Sequence, residues 1–326
     1  MKINTEWTVV GAGPAGIACV GKLIDFNVTP SEITWIDPAF RAGDFGTLWR
    51  NVNSNTPISS FIKFYEHLAA LDYQHARSKF MIDQLSPEKN CPLMVAAQPL
   101  KWMTTTLSKQ VKTINGKVKY ISPVNQNDWK ITLSQGQSFC SKKIILAIGS
   151  EARQLHFDHI QTPVIPLATA LNPIELKQAI SPTDRVVVFG GAQSAKSVLQ
   201  NLFPIKTEKT ILFYRSEESF SRHFSDVHFP PEIETLEMTS RNLLREIPCG
   251  TKIIYAIGFK RRHIPIMGLP NDYGYDKKTG EIAENIFGLG IAFPEILPFE
   301  MGRSEYPVSA IWPFMKRASK LMKQWL

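Results

Sequence analysis

The chain of 326 residues lacks features that define several classes of protein. Its four cysteines lie far apart and form no C-x-x-C pair (Cys19, Cys91, Cys140 and Cys249). Disulfide exchange through neighbouring thiols is therefore not expected, and the thiols are expected to be reduced and mostly buried. No apolar run approaches the ~18 residues that a membrane-spanning helix needs. These absences predict a cytoplasmic protein.

The sequence also lacks the signatures of nucleic-acid binding, metal binding and secretion. Lys and Arg number 37 against 29 Asp and Glu, a net charge of +8, but the basic residues are scattered and no helix-turn-helix pattern is present. The histidines at 156–159, His223 and His228 have no third ligand near them in sequence. A glycine loop near the start leaves no room for a cleavable leader. We expect no nucleic-acid partner and no metal, and the excess charge suits a phosphate-rich cofactor.

What is present is a β-α-β unit at the start of the chain. The apolar run 7–10 is followed by the loop GAGPAG, a helix with one apolar face, and a second strand at 33–37. In such a unit a G-x-G-x-x-G turn carries the pyrophosphate of a dinucleotide at the helix N-terminus. Asp37 ends the second strand, where a carboxylate accepts hydrogen bonds from ribose hydroxyls. The pattern predicts a bound dinucleotide.

A second unit of the same order starts with the strand 185–189 and the loop GGAQSA. Aligned with the first loop, Ala192 stands where the second glycine belongs. A methyl group there crowds the pyrophosphate, and a residue forced to positive φ would be strained by about 1 kcal/mol or more. Alternatively Gly191 takes over that role. The loop alone leaves open whether this half still binds a nicotinamide.

Arg215 favours a working second site. It lies 20 residues past Ala195, at the end of the returning strand, as Asp37 does in the first unit. An arginine in place of an acid suits a 2′-phosphate, and hence NADPH rather than NADH. The alternative is a surface arginine on a domain that has lost its ligand.

The rest of the chain is less regular. Residues 45–110 are expected to be helical with breaks at four prolines (Pro57, Pro87, Pro92 and Pro99), followed by a β-meander. The stretch 221–234 has little periodicity and is interpreted as a loop. The last residues predict an amphipathic helix that is apolar at Met315, Ala318, Met322 and Trp325.

In this order, the motifs resemble those of the flavoproteins with two dinucleotide-binding domains, a family that includes thioredoxin reductases and flavin-containing monooxygenases. The shared segments are VVGAGPAG, WIDP, KIILAIGSEARQL, the second glycine loop, KIIYAIGF and TGEIAENIFGLGIA. The resemblance implies an α/β fold: a Rossmann-like FAD-binding domain with an inserted, shortened NAD(P)-binding Rossmann-like domain. The implied boundaries are 1–165 and 252–326 for the FAD-binding domain and 166–251 for the inserted one.

The segment GDFGTLWRNVNSNTP is similar to one in flavin monooxygenases, where an asparagine lies beside the flavin ring. Trp49 and Asn55 match that pattern, and the resemblance implies that Asn55 is the catalytic residue, a neutral hydrogen-bond donor beside a flavin hydroperoxide. The structural alternative is that Trp49 lies in the core and Asn55 caps a turn before Pro57. The resemblance further implies these cofactor-binding residues: Gly11, Gly13, Pro14, Ala15, Gly16, Asp37, Pro38, Leu48, Trp49, Val118, Ala147, Gly149, Gly190, Gly191, Ser194, Arg215 and Gly290.

Three departures from the family pattern limit the resemblance. The linker motif F-x-G-x-x-x-H of flavin-containing and Baeyer-Villiger monooxygenases does not occur between 155 and 185. The Gly-Asp pair that contacts the ribityl chain is replaced by Gly290-Ile291. The inserted domain is also short after Arg215, where the family fits more strands.

The resemblance implies an FAD-dependent, NADPH-using oxidoreductase. The leading expectation is a flavin monooxygenase that acts on a small soft nucleophile or carbonyl compound through a flavin hydroperoxide. One alternative is an NAD(P)H-dependent flavin reductase or oxidase without oxygen insertion, and another is a flavin-binding sensor or structural protein. The expected partners are a small-molecule substrate and molecular oxygen. Membrane contact is not expected, and the last helix is expected to pack on its own domain or on a second subunit of a homodimer.

Overall fold

The computed structural model describes residues 4–125, 127–155, 162–239, 247, 250–297, 306–308 and 310–326. The chain forms two compact units. The first combines Met1–Ser150 with Arg261–Leu326, and the second is Glu151–Lys260. The predicted division by cofactor, with breaks after 165 and 251, remains a prediction.

Up to residue 150, the described residues form six strands, four α-helices and short 3-10 turns. The strands are β1 (Asn4–Val10), β2 (Ile33–Asp37), β3 (Lys112–Asn115), β4 (Val118–Pro123), β5 (Trp129–Leu133) and β6 (Ser138–Leu146). The helices are α1 (Pro14–Asp25), α2 (Ile58–Glu66), α3 (Tyr73–Ala76) and α4 (Leu93–Ser108). The 3-10 turns are Pro30–Glu32, Gly43–Gly46, Arg77–Lys79 and Met81–Gln84.

The remaining elements follow in chain order. The next strands are β7 (Ser150–Ala152), β8 (Val164–Ile165), β9 (Arg185–Phe189), β10 (Lys209–Tyr214), β11 (Ile233–Glu237), β12 (Lys252–Tyr255) and β13 (Phe259–Arg261). They alternate with α5 (Leu167–Ala170), α6 (Pro173–Ala179), α7 (Gln193–Leu202), a 3-10 turn (Phe203–Ile205) and α8 (Glu217–Phe224). The chain ends with β14 (Glu281–Ala283), β15 (Ile286–Gly288), β16 (Ile296–Leu297), β17 (Tyr306–Pro307) and α9 (Ile311–Trp325).

The first unit is built on a mixed sheet in the order β14-β15-β6-β1-β2-β3, with β5 and β4 joined to β6. The strands β15, β6, β1, β2 and β3 run parallel, so their carboxyl ends meet at one edge. Successive residues alternate between two apolar clusters: Val9 and Trp35 pack on one face, Val10 and Ile36 on the other. Burial on both faces is typical of a parallel sheet under helices.

The region 45–110 is helical, as predicted, but one predicted break is wrong. Pro99 lies inside α4. A proline inside a helix costs about 3 kcal/mol because a hydrogen bond is lost. The helix buries Val95, Leu100, Met103 and Leu107 in the first core, and this burial outweighs the cost.

The second unit has a fully parallel sheet in the order β11-β10-β9-β12-β8. The interpretation of 221–234 as a loop is wrong, because α8 ends within it and β11 begins within it. Phe220 and Phe224 stack on each other with ring centroids 4.9 Å apart, and Phe220 stacks on Tyr214 at 4.4 Å. The apolar face of α8 therefore depends on a tyrosine that precedes the helix.

The predicted C-terminal helix is confirmed as α9. Met315, Ala318, Met322 and Trp325 are all buried, and the helix packs on α1 within the first unit. Its apolar face is thus covered by its own domain. Among the described residues no helix has the length and apolar character needed to cross a membrane.

Candidate cofactor site

The first glycine turn connects the carboxyl end of β1 to α1. Gly11 has φ +105°, and its N–H donates to the carbonyl of Ile36 at 2.8 Å. A Cβ at Gly11 would lie 2.3 Å from the carbonyl oxygen of Ala147, whose own N–H donates to Val10 at 2.8 Å. The turn is wedged between the ends of β2 and β6, and only glycine fits.

The same turn leaves space where a pyrophosphate would lie. A Cβ on Gly16 would lie 1.8 Å from the Gly11 carbonyl oxygen, so the start of α1 is packed tightly against the turn. Gly13 is the N-cap of α1, with no side-chain cap, and a Cβ there would meet nothing nearer than the Gly43 Cα at 4.0 Å. Uncapped N–H groups beside open space fit an anionic group, as the pyrophosphate of FAD requires.

Asp37 is 8% exposed, and its carboxylate serves the backbone. It accepts from the N–H of Ala12 at 2.8 Å, of Ala39 at 2.8 Å and of Phe40 at 2.7 Å. These bonds tie the glycine turn to the end of β2. The exposed Pro38 follows directly. The predicted contact of Asp37 with ribose hydroxyls remains a prediction.

A third segment reaches the N-terminal end of α1. Gly290 has φ +90°, and a Cβ there would lie 2.5 Å from the Cβ of Ala15. The N–H of Leu289 donates to Leu146 at 3.1 Å, which extends the pairing of β15 with β6. Ile291, which replaces the family's aspartate, is 40% exposed. The structure therefore brings together the first glycine turn, the segment at Gly290 and the end of β6. Gly149, which follows β6, has φ +70°.

The second glycine turn, in the second unit, repeats two backbone hydrogen bonds of the first. Gly190 has φ +147°, and its N–H donates to the carbonyl of Phe213 at 2.8 Å. The N–H of Ala256 donates to Phe189 at 2.7 Å, and a Cβ on Gly190 would lie 2.4 Å from the Ala256 carbonyl oxygen. Gly190 is therefore the equivalent of Gly11.

Ala192 has a negative φ, so the strain that a positive φ would cause at this position does not arise. It is the N-cap of α7 with φ −137° and ψ −171°, close to the extended backbone of Gly13 at φ −76° and ψ −178°. Any residue adopts this conformation. Gly191 therefore need not take over the role of Ala192. It packs under Tyr214 instead, since a Cβ added at Gly191 would lie 3.1 Å from the Tyr214 Cβ. Ser194 follows, half-buried, in the first turn of α7.

The register of β10 places Arg215 one residue later than predicted. Phe213 pairs with Phe189 as Ile36 pairs with Val10, so Tyr214 is the equivalent of Asp37. Arg215 is exposed and, within the described residues, has no carboxylate within 4.0 Å. A hydrogen bond to Glu217 raises the pKa of the Tyr214 hydroxyl. The cation next to the strand end is thus available to an anionic ligand.

The segment 47–57 is an exposed loop around a buried serine. Ser54, not Asn55, makes the turn before Pro57: its hydroxyl accepts from the Thr56 N–H at 2.8 Å. Asn55 is exposed, and its amide oxygen accepts from the Thr56 hydroxyl at 3.4 Å. Trp49 is half-buried rather than in the core. The structural alternative for these two residues is therefore wrong, and the role of Asn55 remains a prediction.

Two predicted residues offer only backbone to a ligand in the first unit. Val118 is 5% exposed, in the core at the start of β4, and Ala147 is 6% exposed at the end of β6. Leu48 differs, since it is 49% exposed beside Trp49.

Sequence reasoning missed a cluster of three cations around the 3-10 turn Gly43–Gly46, made of Arg41, Arg50 and Lys101. The pKa of Lys101 is lowered by burial and by the neighbouring charges of Arg50 and Arg41. A Cβ on Gly46 would lie 2.0 Å from the carbonyl oxygen of Arg41 and 3.0 Å from Cε of Lys101. Grouped positive charges beside the Gly13–Gly43 contact suit a diphosphate. The hint in the sequence was the pair of arginines that flanks GDFGTLW.

The 3-10 turn that carries Gly43 is fixed by a second feature that the sequence does not reveal. Arg262 donates to the carboxylate of Asp44 at 2.5 Å, and its N–H donates to the Gly149 carbonyl at 3.1 Å. Asp44 and Arg262 lie 218 residues apart in sequence. The ion pair links the loop after β2 to the end of β6.

Two of the described thiols are buried and poorly suited to chemistry. Cys19 and Cys91 are buried and free, and burial raises the pKa of both thiols, which disfavours the reactive thiolate. No group of three metal-ligating side chains occurs in the part of the chain that the structure describes. The histidines of 156–159 and Cys249 lie outside that part.

Comparison with known proteins shows what the chain is similar to. Residues 8–151 match the family model described as FAD-NAD(P)-binding. Over 98% of its length the chain is 25% identical to Monooxygenase AgnR1 of Paecilomyces divaricatus, of which 97% is covered. The predicted similarity to FAD- and NAD(P)-binding flavoproteins, nearer to monooxygenases than to thioredoxin reductases, is confirmed.

Solved structures agree with the predicted fold. The flavin-containing monooxygenase of Stenotrophomonas maltophilia superposes with a TM-score of 0.63 at 13% identity, over 100% of this chain and 98% of that one. The ornithine N-hydroxylase of Kutzneria sp. 744 gives 0.64 at 12% identity over 99% of both chains. L-lysine 6-monooxygenase of Pseudomonas syringae gives 0.65 at 13% identity, covering 98% and 99%. The Rossmann-like α/β fold is therefore confirmed.

Proposed function

We propose that this protein is an FAD-dependent, NADPH-using monooxygenase. The observation that carries the proposal is the pair of glycine turns with the same backbone geometry, each at the carboxyl end of a parallel strand. The first turn, in the matched FAD-NAD(P)-binding segment, would hold FAD. The second, followed by Arg215, which pairs with no carboxylate among the described residues, would hold NADPH.

In the first unit the protein would hold FAD largely through its backbone. The N–H groups at the start of α1 and the cations Arg41, Arg50 and Lys101 would bind the pyrophosphate, while Asp37 keeps the turn in place. Bound FAD would supply the redox chemistry, taking up hydride equivalents and reducing oxygen. Asn55 would offer a neutral amide donor in the loop 47–57.

The known relatives support oxygen insertion into a small molecule. Monooxygenase AgnR1 covers nearly the whole chain. The Kutzneria hydroxylase holds reduced FAD, NADP+ and L-ornithine, and the Pseudomonas enzyme is a lysine monooxygenase. By analogy we assign this chain a small soft nucleophile or carbonyl compound as substrate, with molecular oxygen as co-substrate.

An anaerobic titration of the FAD-loaded protein with NADPH tests the electron source. We expect the flavin absorbance to bleach with NADPH more readily than with NADH, because Arg215 recognises the 2′-phosphate. A yellow protein that neither nicotinamide bleaches would contradict the proposal and favour a flavin-binding sensor.

Oxygen insertion is tested by counting hydrogen peroxide against NADPH consumed in air. With a panel of amines, thioethers and ketones, an accepted substrate should lower the peroxide yield well below one per NADPH. A peroxide yield of one with every compound favours the plain flavin reductase or oxidase.

The variant Asn55→Ala tests the catalytic residue. Because the Asn55 side chain is exposed and hydrogen-bonds, among the described residues, only with Thr56, we expect a stability change within about 0.5 kcal/mol but a higher peroxide yield with the accepted substrate. Asn51→Ala, in the same exposed loop, is the matched control. Equal peroxide yields for the two variants would remove Asn55 from the mechanism.

A further inference from the structure

A buried arginine in the last helix makes its hydrogen bonds to backbone carbonyls. Arg317, in the middle of α9, is 4% exposed. Its guanidinium donates to two carbonyls, that of Phe293 at 2.5 Å and that of Lys277 at 3.0 Å. Within the described residues no carboxylate lies within 4.0 Å of it. Burying a cation costs several kcal/mol, so a position that keeps one calls for a reason.

The carbonyl of Phe293 belongs to the turn that reaches the cofactor site. The N–H of Phe293 donates to the Gly290 carbonyl at 3.0 Å, which closes the four-residue turn 290–293. Gly290 in turn contacts Ala15 at the N-terminal end of α1. Through the carbonyl of Phe293, Arg317 therefore fixes the turn that lies against the proposed pyrophosphate-binding helix α1.

This turn lacks the side chain that holds the flavin in related proteins. The family's aspartate is replaced by Ile291, which is 40% exposed. The turn 290–293 can therefore contribute only backbone groups to FAD binding, and such a contact depends on where the backbone is held. The hydrogen bonds of Arg317 hold the backbone of the turn in place from α9. Tyr275 adds another hydrogen bond next to the turn, since its hydroxyl donates to the carbonyl of Pro294 at 2.7 Å.

The guanidinium also brings charge into a region shielded from water. Burial lowers the pKa of Arg317, while Tyr275, Glu295 and Asp276 act in the opposite direction. An arginine stays protonated under such a shift.

We propose that Arg317 is a positioning residue for the flavin: it holds the turn 290–293 against the N-terminal end of α1, where the backbone of the turn would meet FAD. This inference rests on the proposed binding of FAD to the first unit. It assigns the C-terminal helix a part in cofactor binding.

The test compares Arg317→Met and Arg317→Lys with Lys320→Met as control. Lys320 lies on the exposed side of the same helix, so its variant removes the same charge without touching the turn. For each protein we would measure the dissociation constant of FAD, the two-electron reduction potential of the bound flavin, and Tm.

We expect Arg317→Met to bind FAD at least about tenfold more weakly and to change the potential of the bound flavin, because the turn loses its anchor. Arg317→Lys keeps one donor for the turn, so its FAD affinity and potential should lie between those of Arg317→Met and the wild type. Lys320→Met should match the wild type in both. If Arg317→Met does not fold, the affinity of Arg317→Lys decides alone.

Wild-type FAD affinity and potential in the Arg317 variants, with only Tm lowered, would overturn the inference and leave a purely structural role. A wild-type protein that does not bind FAD would instead sink the proposed function. The two failures are therefore separated by the first measurement on the unmodified chain.

Discussion

The two glycine turns solve the same backbone problem with different residues. At the first position both need glycine, because φ is positive and a Cβ would lie 2.3 Å from the Ala147 carbonyl oxygen after β6, or 2.4 Å from the Ala256 carbonyl oxygen after β12. At the second position Gly13 and Ala192 are both extended, so alanine is tolerated without strain. At the third, Gly16 leaves no room for a methyl group, whereas Ala195 carries one in a buried site. Backbone geometry thus demands glycine at one position in both turns, and at the third only in the first.

The largest effect is expected from Gly16→Ala. Its Cβ would lie 1.8 Å from the Gly11 carbonyl oxygen, which forces α1 away from β1. We expect a loss of more than about 3 kcal/mol of stability and of bound FAD, measured by Tm and flavin content. Gly136→Ala, at φ +91° with nothing within 4 Å, is the control and should cost about 1 kcal/mol. Similar values for both variants would show that the tight packing at Gly16 is not needed.

Gly190→Ala should damage the second turn alone. Its Cβ would lie 2.4 Å from the Ala256 carbonyl oxygen at φ +147°. We expect FAD to be retained while anaerobic reduction by NADPH slows more than about tenfold. Gly250→Ala, also at positive φ but with open space around it, is the control in the same unit. Normal reduction of Gly190→Ala by NADPH would mean that this turn binds no nicotinamide.

Arg215→Gln tests the feature that most favours NADPH in the second turn. Losing a charge-assisted contact to the 2′-phosphate should raise KM for NADPH about tenfold and leave KM for NADH unchanged. Arg222→Gln is the control, since Arg222 is exposed and pairs with Glu218 at 2.7 Å. An equal change for both coenzymes would argue against recognition of the phosphate.

The smallest effect is expected from Ala192→Gly. Because Ala192 is already extended, glycine relieves no strain, and KM for NADPH should change less than about twofold. The measurement is a KM comparison with the wild type under identical salt. An affinity gain of tenfold or more would show that the methyl group does crowd the pyrophosphate.

Local pattern was enough to predict much of the fold. Both β-α-β units, the meander and the C-terminal helix follow from glycine spacing and apolar periodicity, which depend on neighbours in sequence. The errors have physical causes. Helix α8 was missed because Tyr214, which covers it, precedes it in a strand, and Pro99 was taken as a break because the burial of α4 is invisible in sequence.

The residues of the candidate site also fall into two groups, those that local sequence spacing predicts and those that only tertiary packing brings together. Gly11, Gly16 and Gly190 were predicted from spacing alone, since the turn that needs them is short. The cations Arg41, Arg50 and Lys101 were not, nor was the Asp44–Arg262 pair, because these groups meet only when distant segments pack together.

By itself, the sequence determined that two dinucleotide-type turns exist, in which order they occur, and where glycine is indispensable. Tertiary structure alone decided that Ala192 sits without strain, that Tyr214 rather than Arg215 takes the place of Asp37, and that Arg317 anchors the turn at Gly290. The physical reason is the separation along the chain between the residues that determine each feature. A backbone turn is specified by a few adjacent residues, whereas φ at a helix cap, strand register and the partner of a buried charge depend on contacts between segments far apart in the chain.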